Sequence, residues 1–242
     1  GGGAMGRSWL TPCSSGWRWP ASRRVSSACA DAFSRTSSRA AQRLTAVVRY
    51  HNFERDRAGL ATGFITDRVI VGETRIPVFI QPTREFVIPE NGSHDIIMVG
   101  PGTGIAPFRA FLEQRELDGA TGRNWLIFGE WFEKTTFFYE EEFTAWQESG
   151  LLTRLDTAFS RDQSEKVYVQ HRLQQAGAEV WEWLEGGAYF YVCGDKDYMA
   201  KDVHQALIDI AQEHGGLSKE EADHYVNRTL MKEEKRYLRD VY

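Results

Sequence analysis

Residues 160–170, SRDQSEKVYVQ, place several hydrogen-bond donors and cations directly after a strand-like run, LTRLDTAF. Ser160, Arg161 and Lys166 together suit a phosphomonoester dianion held by charge-assisted hydrogen bonds, and Tyr168 offers a face for an adenine ring. The set predicts a site for the adenosine 2′-phosphate of NADP, because an NAD site would place a carboxylate against the ribose instead. The alternative is an ordinary solvated loop, since the same stretch also carries two acidic residues.

A second feature is the glycine-rich segment GPGTGIAPFRAF, which follows the strand-like run DIIMV. Gly100, Gly102 and Gly104 allow backbone N–H groups to approach a ligand closely at the start of a helix, where an anion is favoured. A pyrophosphate is the expected ligand, and Pro107 suits the first turn of that helix. The spacing departs from the usual G-x-G-x-x-G, so a tight strand-to-helix turn without a ligand is the alternative.

Two more stretches concern the far end of the chain. Cys193 precedes Gly-Asp in YVCGD, where its thiol would lie over the cleft or, alternatively, be an inert buried side chain. The last residues, RYLRDVY, predict a final strand that carries an aromatic residue, Tyr242, at its end. Such an ending is unusual, because chain termini are normally polar and loose.

The composition restricts the classes of function. The chain has 242 residues, of which 42% are hydrophobic, and a formal net charge of −5, so we expect no nucleic-acid or membrane partner held by charge. The three cysteines include no CxxC pair, which argues against a disulfide framework or a zinc site and favours a cytoplasmic setting. No apolar run approaches the roughly 20 residues that span a bilayer.

The texture of the sequence divides it into three segments. Residues 1–43 are rich in Ser, Arg, Ala and Gly without a regular period, and we expect a disordered leader or one foreign to the fold, with a transit peptide as the alternative. Residues 44–93 carry short β-branched runs, which predict a partial antiparallel β-barrel. Residues 94–242 alternate strands and helices, which predicts an α/β domain with a doubly wound parallel five-stranded sheet. The predicted helices cover residues 105–117, 137–149, 168–185 and 197–215.

As a set, GPGTGIAPFRAF, SRDQ with KVYVQ, YVCGD with MAKDV, and the ending RDVY resemble the diflavin reductases of the ferredoxin–NADP reductase superfamily. The resemblance runs from about Leu44 to Tyr242, and the ending is most similar to the sulfite reductase flavoprotein type. It implies an NADPH-dependent flavoprotein oxidoreductase that passes hydride from NADPH to FAD. The implied partners are FMN on a domain outside this chain or on a flavodoxin-like protein, and then a haem and iron–sulfur sulfite reductase component.

The resemblance also implies roles for individual positions. Cys193 and Asp240 would lie beside the hydride path, and Tyr242 would stack on the flavin ring. The positions implied for NADP are Gly102, Thr103, Gly104, Ser160, Arg161, Lys166, Val167, Tyr168, Val169, Gln170 and Asp202. For FAD, a strand followed by a G-x-x-S/T turn implies Tyr50, Gly59, Leu60, Ala61 and Thr62.

Some features of the family are missing. Phe86 and Pro89 resemble the closing strand of the FAD barrel, but no R-x-Y-S motif precedes them. We therefore expect the chain to be the C-terminal part of a larger reductase. The alternatives are a catalytically silent NADP-binding module and a reductase that serves a cytochrome acceptor.

Overall fold

The structure, a computed structural model, describes residues 49–52, 55–70, 73–74 and 85–242. The predicted leader, residues 1–43, lies outside the described residues, and so do residues 44–48, 53–54, 71–72 and 75–84 of the predicted barrel segment. Within residues 49–70, the strands β1 (Arg49–Asn52) and β2 (Arg55–Ala58) pair antiparallel and are followed by the helix α1 (Leu60–Asp67).

The remaining chain forms one α/β unit around five strands. These strands are β3 (Ile96–Val99), β4 (Asn124–Glu130), β5 (Arg154–Phe159), β6 (Tyr189–Gly194) and β7 (Tyr237–Val241). All pairings are parallel, in the order β5-β4-β3-β6-β7. The predicted five-stranded doubly wound parallel sheet is confirmed.

Helices cover both faces of this sheet, as parallel strands require. They are α2 (Ala106–Leu117), α3 (Glu133–Thr136), α4 (Glu140–Glu148), α5 (Val169–Gln175), α6 (Gly177–Glu185), α7 (Met199–Glu213), α8 (Lys219–His224) and a π-helix (Tyr225–Glu233). Residues of α2 and α4 pack in one core cluster on one face, and residues of α5, α6, α7, α8 and the π-helix pack in a second cluster on the other.

The two central strands show why this sheet forms. The run IIMV of β3 is buried at every position, and so is all of β4 except its last residue. Successive side chains of β3, such as Ile96 and Ile97, enter opposite core clusters. A strand that is covered on both faces has no polar side, which is why the sequence reads as a continuous apolar run rather than an alternation.

Segment 85–90 joins this unit but is not a strand. The resemblance predicts a barrel strand here, whereas the structure shows bends and irregular backbone at these positions. Phe86 is buried against Phe108, Phe111 and Tyr191, and the Tyr191 hydroxyl donates to the Val87 carbonyl at 2.8 Å. Apolar burial and this bond hold the segment against the sheet without any ladder of strand hydrogen bonds.

A predicted helix and a predicted turn are also corrected. The helix predicted over 168–185 is two helices, because Ala176 has φ −102° and ψ 18° and interrupts it before α6 begins at Gly177. A Cβ at Gly177 would lie 2.5 Å from His214 Nε2, so the chain passes close to the end of α7 at this break. The positions matched to a G-x-x-S/T turn, Gly59 to Thr62, instead form the N-cap and the first turn of the helix α1.

Candidate functional site

The carboxyl ends of β3 and β6 meet where the strand order reverses. From β3 the chain moves outward to β4 and β5 and then returns to the other side of β3 as β6. Open α/β sheets bind ligands in the crevice outside such a switch point. The predicted nucleotide-binding residues from 102 to 170 follow the carboxyl ends of β3 and β5, so the topology brings these loops to one edge.

The turn after β3 approaches the backbone of β6 very closely. Gly102–Ile105 form one 3-10 turn that begins with Gly102 at φ 57°, and the Gly104 N–H donates to the Pro101 carbonyl at 3.0 Å. A Cβ at Gly104 would lie 2.0 Å from the carbonyl oxygen of Cys193. Position 104 therefore admits only glycine in this arrangement.

Cys193 itself lies in the core. Its side chain is 1% exposed and belongs to the core cluster that contains α2. Burial of this kind matches the alternative of a packed thiol, and a part in hydride transfer stays a prediction. In the parallel pairing of β6 with β7, Cys193 lies opposite Asp240, whose side chain is half-buried.

The C-terminal residue returns to the glycine-rich turn. The Tyr242 N–H donates to the Gly194 carbonyl at 3.1 Å, and the Lys196 N–H donates to the Tyr242 carbonyl at 3.2 Å. The Tyr242 and Thr103 hydroxyls form a hydrogen bond of 2.7 Å. The Tyr242 side chain is 62% exposed, so it forms an accessible wall beside the turn.

The loops after β4 and β5 run side by side. The Ser160 N–H donates to the Glu130 carbonyl at 2.8 Å, and the Arg161 N–H donates to the Trp131 carbonyl at 2.9 Å. Ser160 is buried, whereas the Arg161 side chain is exposed and lies over the Trp131 ring with 3.8 Å from Cζ to the centroid. Sequence analysis did not single out Trp131, because its neighbour Arg161 is 30 positions away in the chain.

The remaining predicted nucleotide residues divide into exposed and buried side chains. Lys166 and Tyr168 are exposed, Val167 packs against the core, and Val169 is buried within it. For Val169 only the main chain could face a ligand. The Gln170 side chain donates to Asp202 at 3.1 Å, which joins the first turns of α5 and α7.

Asp195, another residue that sequence analysis did not single out, supports the start of α7. Its carboxylate accepts the N–H groups of Tyr198 and Met199 at 2.7 and 3.0 Å. These backbone donors, that of Met199 first, lower the pKa of Asp195 below its usual value. A Gly-Asp pair shortly before a helix is the sequence signal that could have identified it.

Two of the predicted FAD positions, Tyr50 and Thr62, can be placed only by their backbone. Tyr50 lies in β1, Gly59 precedes α1, and Leu60, Ala61 and Thr62 form its first turn. That turn contains no acidic residue, and the Gly63 N–H donates to the Gly59 carbonyl at 2.7 Å. A helix start without acidic side chains is compatible with a phosphate group but does not itself define a site.

The edge at the switch point fits a dinucleotide. At Gly102 a Cβ would meet only Glu130 Oε1 at 3.7 Å, so the start of the turn leaves room for a closely approaching pyrophosphate, whereas Gly104 is required by the nearby main chain of β6. Arg161 forms no ion pair with a carboxylate in the described part of the chain. The fold and this edge together define a nucleotide-binding domain of the doubly wound type.

Comparison with known proteins gives a family match for part of this unit. Residues 98–205 match the family described as the oxidoreductase NAD-binding domain. The match begins within β3 and ends within α7, so it includes the turn after β3 and the loops after β4, β5 and β6.

Comparison with individual proteins extends the match over more of the chain. The chain is 50% identical over 197 residues to the alpha-component of the NADPH sulfite reductase flavoprotein of Yersinia enterocolitica, which covers 81% of this chain and 32% of the relative. The corresponding proteins of Pectobacterium atrosepticum and Vibrio cholerae are 49% and 50% identical over 196 residues. The chain is therefore a homologue of these flavoproteins, and the resemblance predicted from its motifs is confirmed. It spans about a third of the length of these relatives.

No helix in the described residues is long and apolar enough to cross a bilayer.

Proposed function

We propose that this chain is the nucleotide-binding part of an NADPH-dependent flavoprotein oxidoreductase. When bound, NADPH supplies a hydride and FAD accepts it, and the protein contributes binding and orientation. The proposal depends on one observation above all: Arg161 presents an exposed guanidinium without a carboxylate partner in the described chain, beside Ser160 and at the carboxyl edge of the sheet. The homologous flavoproteins carry NADPH in their names.

The exposed cations give the site its preference for NADP. Arg161 and Lys166 would neutralise the 2′-phosphate, and the Ser160 hydroxyl would add a hydrogen bond. Tyr168, with 42% of its surface exposed, would stack on the adenine ring. A diphosphate would lie against the N–H groups of Gly102, Thr103 and Gly104.

Tyr242 would shield the flavin side of the site. Its exposed ring could stack on an isoalloxazine, and its link to Thr103 places it beside the turn proposed for the dinucleotide. The FAD itself would be held by the segment around α1, at Tyr50, Gly59, Leu60, Ala61 and Thr62. Cys193 and Asp240 would shape the wall between the two cofactors from the ends of β6 and β7.

The wider reaction is proposed from the motif resemblance, and the names of the relatives support sulfite reductase as the wider system. In the proposed sequence, electrons pass from FAD to FMN on another domain or on a flavodoxin-like protein, and then to the haem and iron–sulfur component of a sulfite reductase. A soluble protein located in the cytoplasm is part of the same proposal.

Calorimetric titration of the purified chain with NADP⁺ and with NAD⁺, together with its visible spectrum, tests the proposal. We expect NADP⁺ to bind at least 10-fold more tightly than NAD⁺, because the 2′-phosphate adds charge-assisted hydrogen bonds. Equal affinities would contradict an NADP site at Ser160 and Arg161. Absorbance of a bound flavin would support the FAD proposal, whereas NADP⁺ binding by a colourless protein would favour the silent nucleotide-binding module.

A further inference from the structure

Trp131 contacts the guanidinium of Arg161 directly. The Arg161 Cζ lies 3.8 Å from the centroid of the indole ring, within the range of a cation–π contact. The Trp131 side chain is 44% exposed, which is unusual for a residue of this size in the described chain, where Trp125 and Trp183 are buried. An exposed indole with a cation over its face calls for a reason other than packing.

The backbones on either side hold this pair in register. The Arg161 N–H donates to the Trp131 carbonyl at 2.9 Å, and the preceding residues are joined from Ser160 N–H to the Glu130 carbonyl at 2.8 Å. One residue further on, the Asp162 carboxylate accepts the Glu133 N–H at 2.8 Å. Three successive hydrogen bonds therefore fix the relative position of the two loops, and with it the position of the ring below the guanidinium.

Two other arginines of the described chain also lie over tryptophan rings, but their charges are neutralised. Arg123 lies over Trp183 and pairs with Asp95 at 2.8 Å. Arg154 lies over Trp125 and pairs with Asp156 at 2.7 Å and with Glu179.

Arg161 differs from both, because its side chain lies over an indole ring and forms no ion pair with a carboxylate of the described residues. An aromatic face restrains a guanidinium while leaving its N–H edge unoccupied. Stacking therefore orients this side chain without using the donors that a phosphate would need.

We infer that Trp131 is a positioning residue for the 2′-phosphate, which acts by holding Arg161 ready to receive it. The inference rests on the proposed NADP site. An unrestrained arginine loses rotamer freedom when it binds a ligand, and a ring that restrains it beforehand reduces that loss. Trp131 therefore contributes to the choice of NADP over NAD without touching the dinucleotide.

The test compares binding of 2′,5′-ADP, which carries the 2′-phosphate, with binding of 5′-AMP, which lacks it. Calorimetry on the whole 242-residue chain measures both dissociation constants for the wild type and for four variants. The variants are Trp131→Ala, Trp131→Phe, Arg161→Ala and Phe132→Ala. Phe132 is the matched control, because it is the neighbouring aromatic residue and its exposed fraction, 38%, is similar to the 44% of Trp131. Neither probe requires a flavin, so the result does not depend on FAD.

We expect Trp131→Ala to weaken 2′,5′-ADP binding about 2- to 5-fold, the usual strength of an exposed cation–π contact, and to leave 5′-AMP binding unchanged. Trp131→Phe should restore much of the lost affinity, because it keeps an aromatic face. Phe132→Ala should behave like the wild type for both probes. Arg161→Ala should weaken 2′,5′-ADP binding on the order of 10- to 100-fold.

Other outcomes separate the inference from the proposed function. Unchanged 2′,5′-ADP binding in Trp131→Ala, together with a large loss in Arg161→Ala, would overturn the role of Trp131 and leave the NADP site standing. An equal loss for both probes, or the same loss in Phe132→Ala, would also overturn it, because Trp131 would then support the base or the loop. No loss in Arg161→Ala would contradict the proposed NADP site itself.

Discussion

The hydroxyl groups of Thr103 and Tyr242, 139 positions apart in the chain, form a hydrogen bond of 2.7 Å. Thr103 belongs to the turn after the first strand of the parallel sheet, and Tyr242 follows the last strand. Two backbone hydrogen bonds, Tyr242 to Gly194 and Lys196 to Tyr242, support the same closure from the side of β6. The two ends of the α/β unit therefore meet at the proposed nucleotide site.

The first prediction concerns this pair. Tyr242→Phe and Thr103→Val should each lower the free energy of unfolding by about 0.5–1 kcal/mol, the usual net value of a neutral hydrogen bond. The double variant should lose no more than the larger single loss, because both substitutions remove the same bond. Urea unfolding of the four proteins measures this coupling. Strictly additive losses would mean that the two hydroxyl groups do not interact in solution.

Gly104→Ala should destabilise the fold strongly. The new methyl group would lie 2.0 Å from the Cys193 carbonyl oxygen, and the atom it meets is main chain rather than a flexible side chain. We expect a loss of about 3 kcal/mol or more in the free energy of unfolding, at the upper end for overpacking.

The control is Gly119→Ala. A methyl group there meets nothing within 4 Å, and the strain comes only from φ 64°. Its loss should be about 1 kcal/mol. Similar losses for the two variants would show that the close approach at Gly104 relaxes easily.

Asp195 should make stability depend on pH. Its pKa is lowered by the backbone N–H groups of Met199 and Tyr198, so its contribution is complete above the pKa of the unfolded chain and disappears as the pH falls through the folded value. Asp195→Ala should cost about 1 kcal/mol at pH 7, because it removes the acceptor of the Tyr198 and Met199 N–H groups, and solvent screening keeps this loss small at an exposed position. The difference in the free energy of unfolding between this variant and the wild type should decrease toward pH 3.

Thermal or urea unfolding at the two pH values measures this change. Asp195→Asn is the matched control, because an amide oxygen still accepts from the helix start but does not titrate. The difference in the free energy of unfolding between Asp195→Asn and Asp195→Ala should be the same at pH 7 and at pH 3. A pH-independent loss in Asp195→Ala would show that the carboxylate charge has no part in the cap.

Arg115 joins the start of the α/β unit to the loop before β4. Its Nη2 donates to the carbonyls of His94 and Gly122 at 2.9 and 2.8 Å, while burial lowers the pKa of its guanidinium. Arg115→Met would leave those carbonyls without their donor, but it would also remove a cation from a buried position.

We expect the first effect to prevail, since a buried group that loses its partner costs about 1–3 kcal/mol. The net loss for Arg115→Met should be about 2 kcal/mol by urea unfolding. Arg115→Lys should recover only part of it, because a single ammonium group cannot reproduce the planar donor set. A stabilised Arg115→Met protein would show that desolvation of the charge prevails instead.

The central strands β3, β4 and β6 were predictable because their burial on both faces leaves apolar runs such as WLIF in β4. The helices were less so. The segment after Gly216 received no helix in the sequence analysis, although Ser218 and Glu221 form a capping box that the sequence displays. The π-helix after it follows a longer repeat than the 3.6 residues on which helix patterns depend.

The start of α1 illustrates a different limit. Gly63, Ile65 and Thr66 within it are weak helix formers, so the local sequence favours a turn although the structure has a helix. At the candidate site, the glycine turn and the loop after β5 could be found from residue types and spacing. The contact between Trp131 and Arg161 could not, because it depends on the pairing of β4 with β5.

The close approach of Gly104 to Cys193 bears on how a ligand would be received. Because main chain packs directly against main chain, the turn after β3 and the end of β6 cannot shift relative to each other. Any adjustment to a bound ligand must then come from the exposed side chains at the rim, such as Arg161, Lys166 and Tyr242. The crevice is thus preorganised by folding, and we expect association to proceed with little backbone ordering and a correspondingly small entropic penalty.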